Sequence, residues 1–312
     1  MSKPYLTIDQ QISKLSREKG LNISDLTFAK QMLTNIGYFS LIGGYKNLFT
    51  NPMTRKYEQP TTFEDIVALY QFDDELRHLT FRFLMQVEQK LRQLISDSFC
   101  AHFGEQQSYY LSAASYNAAR KLGPDIAKLI SILDYHANRN TEKAYLVHQR
   151  NLYHNVPLWV TTKILTFGQL SKFYQLMQFR QQSDISKCYE HVTEKNLGQY
   201  LTNLTLFRNV CAHNERLFSF KLQKDFPDTV LHQKLGIVKK GNQYLQGKRD
   251  YFGLVIALRY LLPKDDFLLY KKSLIGLINS YTKQSPRISK SDLLVQMGFP
   301  SNWEKITRYK LT

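Results

Sequence analysis

Residues 63–100 constrain the fold more than any other stretch of the chain. Val67, Tyr70, Leu76, Leu84, Val87, Leu91 and Leu94 keep close to 3.6-residue spacing, which predicts one long amphipathic helix. Gly and Pro are sparse, at 14 and 9 of 312 residues, and Leu/Lys/Gln/Glu-rich segments recur, so a mostly helical protein is expected. Within the long helix Asp73–Arg77 and Glu88–Arg92 are acid-to-base pairs four residues apart. On an exposed face each contributes only a few tenths of a kcal/mol.

Helical patterns at 7–19 and 24–36, broken at "KGLN", predict an N-terminal helical hairpin with Ser24 as the N-cap of its second helix. The same pattern admits a DNA-reading helix-turn-helix, although its second helix lacks an obvious row of base-reading polar residues. Gly37, Gly43 and Gly44 mark a bend, and 50–62 is a polar loop with Pro52 and Pro60. Residues 104–124 are tyrosine-rich and irregular. Helices are expected at about 124–150, at 155–177 (Pro157 in the first turn, Gly168 interrupting), at about 195–216, at 249–262 and at 265–282. "VKKGNQY" (238–244) fits a small hairpin turning at Gly-Asn. The organisation expected is an N-terminal helical region (1–60), a helical core (61–282) and a basic C-terminal tail (283–312).

Net charge decides the class of partner. The chain carries +16 with a pI near 9.6, and residues 221–312 hold 17 Lys/Arg against 7 Asp/Glu. That excess points to a polyanion, nucleic acid before an anionic membrane surface. Cys100, Cys188 and Cys211 are scattered with no CxxC, so neither a zinc site nor a disulfide framework is expected, and a cytoplasmic protein fits. No run approaches 18 apolar residues, so no membrane span is expected.

The chemistry concentrates in "NLTLFRNVCAHNERLFSF" (203–220). On a helical wheel Leu197, Leu201, Leu204, Phe207 and Cys211 form the core stripe. Asn209 and His213 stack on a face roughly opposite it, and Arg216, three residues on, joins them. Arg208 lands near the core side, where a guanidinium needs a carboxylate; Glu88 or Asp73 on the long helix is the expected partner. An imidazole, an amide and a guanidinium, with no carboxylate nucleophile or serine triad, suit RNA phosphodiester cleavage. The substrate supplies its own nucleophile, the 2′-OH. Imidazole moves the proton at neutral pH, and guanidinium balances charge on the phosphorane. No metal or other cofactor is required. Beyond the site, Lys239, Lys240, Lys248 and Arg249, with Arg216, are the expected RNA contacts, and tyrosines could stack unpaired bases.

"RNVCAHNERLF" resembles the Arg-x4–6-His motif of HEPN-domain ribonucleases. The wider chain resembles the Abi-D/Abi-F type of abortive infection proteins through "IGYFSLIGGYKNLF" (36–49), "LYQFDDELRHL" (69–79), "VEQKLRQLI" (87–95), "PLWVTTKILTFGQLSKFY" (157–174), "FRNVCAHNERLF" (207–218) and "MGFPSNW" (297–303). The resemblance implies an all-α fold built as a HEPN-like helical bundle, phage defence, and RNA cleavage with Arg208 and His213 catalytic and Asn209 a polar helper. It also implies association with a structured non-coding RNA. HEPN sites are usually built from two facing motifs and this chain has one, so a homodimer is expected to complete the site. Two other readings stay open: a non-catalytic structured-RNA-binding protein, and a DNA-binding regulator using the N-terminal hairpin.

Overall fold

The computed structural model describes residues 4–285 and 287–312. The hairpin forms from α1 (Ile8–Ser13), which continues as a π-helical turn through Glu18, and α2 (Leu26–Ile36). The α2 cap is Asp25, not Ser24: the Asp25 carboxylate accepts from the Phe28 amide at 2.9 Å. Gly37 ends α2 at φ +87, a conformation that suits glycine. Gly43 lies in a second π-helical turn, Phe39–Gly43, that leads into the polar loop.

The long helix is continuous. It is α3, Phe63–Phe103, opened by a capping box between Thr62 and Asp65 and closed at Gly104. It forms the axis of the bundle. Short α4 (Gln107–Tyr110) comes next, in an irregular stretch anchored by buried Tyr110 and Tyr116. Then come α5 (Gly123–Asp134) and α6 (Ala144–Tyr153). The expected 155–177 helix is split into α7 (Leu158–Thr161) and α8 (Phe167–Leu176). The break falls at Leu165, not Gly168, because Thr166 caps α8 by accepting from the Gln169 amide. Pro157 sits one position early, at the N-cap of α7.

α9 (Phe179–Ser186) and α10 (Glu194–Ala212) complete the half that carries the motif. α11 (Val230–Lys234) and the expected hairpin, β1 (Lys239–Lys240) against β2 (Gln243–Tyr244), come after them. The chain closes with α12 (Tyr251–Leu261), α13 (Lys264–Gln284) and α14 (Lys290–Met297). α3 packs against α13, α10, α8, α9 and α7. One hydrophobic cluster runs from Ile12 to Ile306 and includes Met297, Phe299 and Trp303. Among the described residues no helix is long and apolar enough to cross a membrane.

Both acid–base pairs on α3 are turned inward: Asp73 and Arg77 are 0% and 2% exposed, Glu88 3%, and Arg92 is half-buried. The first lies under the chain leaving α10 and the second between α10 and the α7–α8 break, so they act as internal fixtures. Thr62→Ala removes the side-chain acceptor at the start of α3 and is expected to cost about 1 kcal/mol, read as a lower denaturation midpoint with an unchanged m-value.

Candidate functional site

α10 forms because its apolar residues meet α3, α8, α9 and α12 over a wide arc. Leu197, Leu201, Leu204 and Phe207 are buried as expected, and Tyr200, Asn203 and Val210 are buried with them. The helix stops at Ala212, four residues before its expected end. Asn214 adopts φ +55. Its amide donates to the Cys211 carbonyl, and the Glu215 amide donates back to the Val210 carbonyl at 3.0 Å. These two bonds make a Schellman turn with asparagine in the left-handed position usually taken by glycine. His213 is therefore the C-cap, exposed on the rim of the helix. Asn209, one turn earlier, is half-buried.

Beyond the turn the chain is clamped. Both Asp73 carboxylate oxygens accept backbone amides of the returning chain, Leu217 at 2.9 Å and Phe218 at 2.7 Å. The Tyr45 hydroxyl donates to Asp73 at 2.6 Å, and Arg77 Nη1 donates to it at 2.9 Å. Arg77 also reaches the Glu215 carbonyl at 3.3 Å and Asp74 at 2.7 Å. Burial pushes the Asp73 carboxyl up, and the Tyr45 hydroxyl, the two amides and Arg77 pull against it. Every neighbour is a donor, so the geometry calls for the ionised, accepting form. Asp73 is therefore not the partner of Arg208. It sets where the chain goes after His213.

Arg208 faces Glu88, with Nε 3.9 Å from Oε2. Its side chain is 25% exposed, and its Cζ lies 5.9 Å from the centroid of the Phe81 ring. The contact is incomplete. Neither Arg208 Nε nor Glu88 Oε2 has a hydrogen-bond partner. The other Glu88 oxygen is taken by Arg92 at 2.7 Å, and Arg92 is itself fixed on the Thr162 and Leu165 carbonyls. One carboxylate thus stands between two guanidiniums, and the local sum stays positive. Arg208 is therefore positioned beside Glu88 without being fully paired with it.

The remaining expected contacts divide. Arg216 is not on the α10 face: it lies past the turn and donates to the Gly44 carbonyl at 2.6 Å. Lys248 is not free to meet RNA, since it is 8% exposed and its ammonium is held by Asp228 and the Phe226 carbonyl. Arg249 is paired with Asp225, at half exposure. Lys239 and Lys240 are exposed on the hairpin, with Lys239 over the Tyr244 ring. Arg208 is thus brought to Glu88, Asn209 and His213 share the last turn of α10, and Lys248 and Arg249 are engaged with Asp228 and Asp225. Sequence periodicity gave no sign of Tyr45 or Phe81, because each acts across elements far apart in the chain; it showed Arg92 beside Glu88 but not its bonds to the Thr162 and Leu165 carbonyls. Among the described residues no group of three or more His, Cys, Asp and Glu side chains could hold a metal ion.

A family model described as Abi-like protein matches residues 31–219. That span opens in α2, contains Tyr45, Asp73, Glu88, Arg208 and His213, and ends one residue beyond the Phe218 amide that Asp73 holds. Among curated proteins and solved structures, none matches the chain significantly.

The two arginines should behave oppositely. Arg77→Ala leaves the Asp73 charge buried without its cation and is expected to cost about 3–5 kcal/mol. Arg208→Ala removes a group that makes no hydrogen bond and should cost less than about 1 kcal/mol. Urea denaturation of the two variants checks the contrast.

Proposed function

The chain belongs to the Abi-like protein family, the abortive-infection proteins of phage defence, and from that membership we propose that it is a HEPN-type endoribonuclease. It cuts RNA through the substrate's own 2′-OH and needs no metal. His213 carries the proton, Arg208 stabilises the phosphorane, and Asn209 orients the substrate. Two chains pair about a two-fold axis so that two copies of the α10 end face each other. A structured non-coding RNA binds the protein and restrains or loads it.

The observation that supports this reading is the state of Arg208. A wholly structural arginine would be satisfied like Arg77, with four hydrogen bonds. Arg208 instead keeps a quarter of its surface in solvent and an unpartnered Nε, on the same helix end that exposes His213. A guanidinium held in place and left underfilled is suited to charge that appears only during reaction. The backbone at His213 is fixed by the Schellman turn and the Asp73 clamp, so only the imidazole rotamer is left to be ordered when substrate arrives.

The second reading is a structured-RNA-binding protein without catalysis, favoured by the net charge of +16. Mixed RNAs incubated with the protein in EDTA separate the two. The nuclease reading expects products ending in 2′,3′-cyclic phosphate. His213→Ala should lower the rate by about 10²-fold or more, with Arg208→Ala comparable. A co-purifying RNA with no cleavage supports the second reading. If the site is shared between two chains, specific activity falls on dilution below the dimer dissociation constant, and sedimentation should show the mass halving over the same range.

A further inference from the structure

The N-terminal hairpin and the loop around residues 46–57 enclose a groove of about 890 Å³. Four cations line it, Lys14, Lys19, Lys46 and Arg55, and no carboxylate does. Two of the acids nearby are paired with cations outside the groove. Asp9 holds Lys30 at 2.7 Å, and Glu58 lies 3.8 Å from Arg287. Glu18 approaches the Tyr38 phenol, which burial and then the Glu18 charge push up. Among the described residues none of the four lining cations has a salt-bridge partner, in contrast to Lys248 and Arg249. Four like charges around one concavity repel one another until an anion enters. Three tyrosines complete the walls: Tyr5, 87% exposed, half-buried Tyr38 and buried Tyr57.

We propose that this groove binds a single-stranded segment of RNA, with phosphates along the four cations and a base stacked on Tyr5 or Tyr38. A cationic track with aromatic platforms suits a flexible strand, whose bases are free to stack; a duplex offers only its phosphates. A bilayer surface is the rival polyanion, because Phe39 and Met53 are also exposed, at 88% and 91%. It fits less well. The cations face into a concavity that a flat surface cannot enter, and neither Phe39 nor Met53 lines it.

The groove is joined to the candidate site by one segment. Ile42 and Lys46 form part of its wall. Between them, the Gly44 carbonyl accepts from Arg216 and the Tyr45 hydroxyl donates to Asp73. A strand in the groove therefore lies against the same piece of backbone that holds the turn after His213. The proposal rests on the RNA reading of the site for the identity of the polyanion, and it does not depend on cleavage.

The test uses a fluorescein-labelled octauridylate and the full chain carrying His213→Ala, with anisotropy measured between about 50 and about 200 mM salt. Adding Lys46→Glu and Arg55→Glu, both exposed positions, should weaken binding about tenfold or more. Losing two phosphate contacts should also flatten the log–log salt slope by about 1.4. Tyr5→Ala should weaken binding about fivefold or more. Lys121→Glu with Lys128→Glu changes net charge equally, at exposed positions on another face, and should have little effect. Matching melting midpoints show that the variants are folded. An equal loss in the Lys121/Lys128 control, or unchanged binding in the groove variants, overturns the proposal. So does loss of binding to phosphatidylserine vesicles by the groove variants with octauridylate binding intact. An inactive wild-type protein that still binds through the groove would sink only the nuclease reading. An active one whose affinity and KM ignore the groove variants would sink only the groove.

Discussion

A carboxylate buried in a helical bundle is tolerated only when its desolvation is offset by donors on every side. Asp73 meets that condition by recruiting partners from three distant parts of the chain. Tyr45 comes from the glycine-marked bend, Arg77 from the next turn of α3, and the Leu217 and Phe218 amides from the chain leaving α10. None of these contacts need add net stability. Their effect is positional. With the amides held, the turn after α10 has one path, and His213 sits at one place on its rim. Arg77 reinforces this by bonding the Glu215 carbonyl from the other side.

Glu88 shows the opposite arrangement with the same residue types. Its pair with Arg92 is complete and tied to the backbone of the α7–α8 break. Its second oxygen faces Arg208 across 3.9 Å with no hydrogen bond formed. Unsatisfied buried polar atoms are uncommon, and each calls for strain, a functional role or a solvent or ion partner to account for it. α3 thus carries two acid–base pairs fifteen residues apart along one helix. One is filled and fixes the backbone. The other is left open beside the motif.

The parts legible in the sequence were those written locally. α3 is dictated by apolar spacing sustained along its length, and the small hairpin by Gly-Asn between two short polar runs. The RNVCAHNERLF segment declared itself through residue types that a core helix has no use for. What stayed hidden depended on contacts between residues far apart. The wheel extended α10 through Arg216, because no helical pattern reveals that Asn214 turns left-handed and that Asp73, some 144 positions away, pulls the chain aside. Lys248 read as a free cation because the sequence does not show that Asp228 and the Phe226 carbonyl fold over it. The i,i+4 spacing of Asp73–Arg77 was visible, but whether the pair faced water or protein was decided by α10 and its turn.

The exposure of His213 bears on how such a site could work. On a lone chain its imidazole meets water, and a proton carrier in bulk solvent gains little from preorganised surroundings. In the proposed nuclease the helix end would supply one wall of the site: an imidazole on a fixed backbone, a half-buried amide and an underfilled guanidinium. The opposite wall has to come from outside the chain. A second copy would bring an identical set and place two positive groups around one phosphate. A folded RNA would exclude water but add negative charge, which Arg208 alone, sharing Glu88 with Arg92, is poorly equipped to offset. On charge grounds the proposed two-chain arrangement is the one that would make a catalytic surface of this helix end.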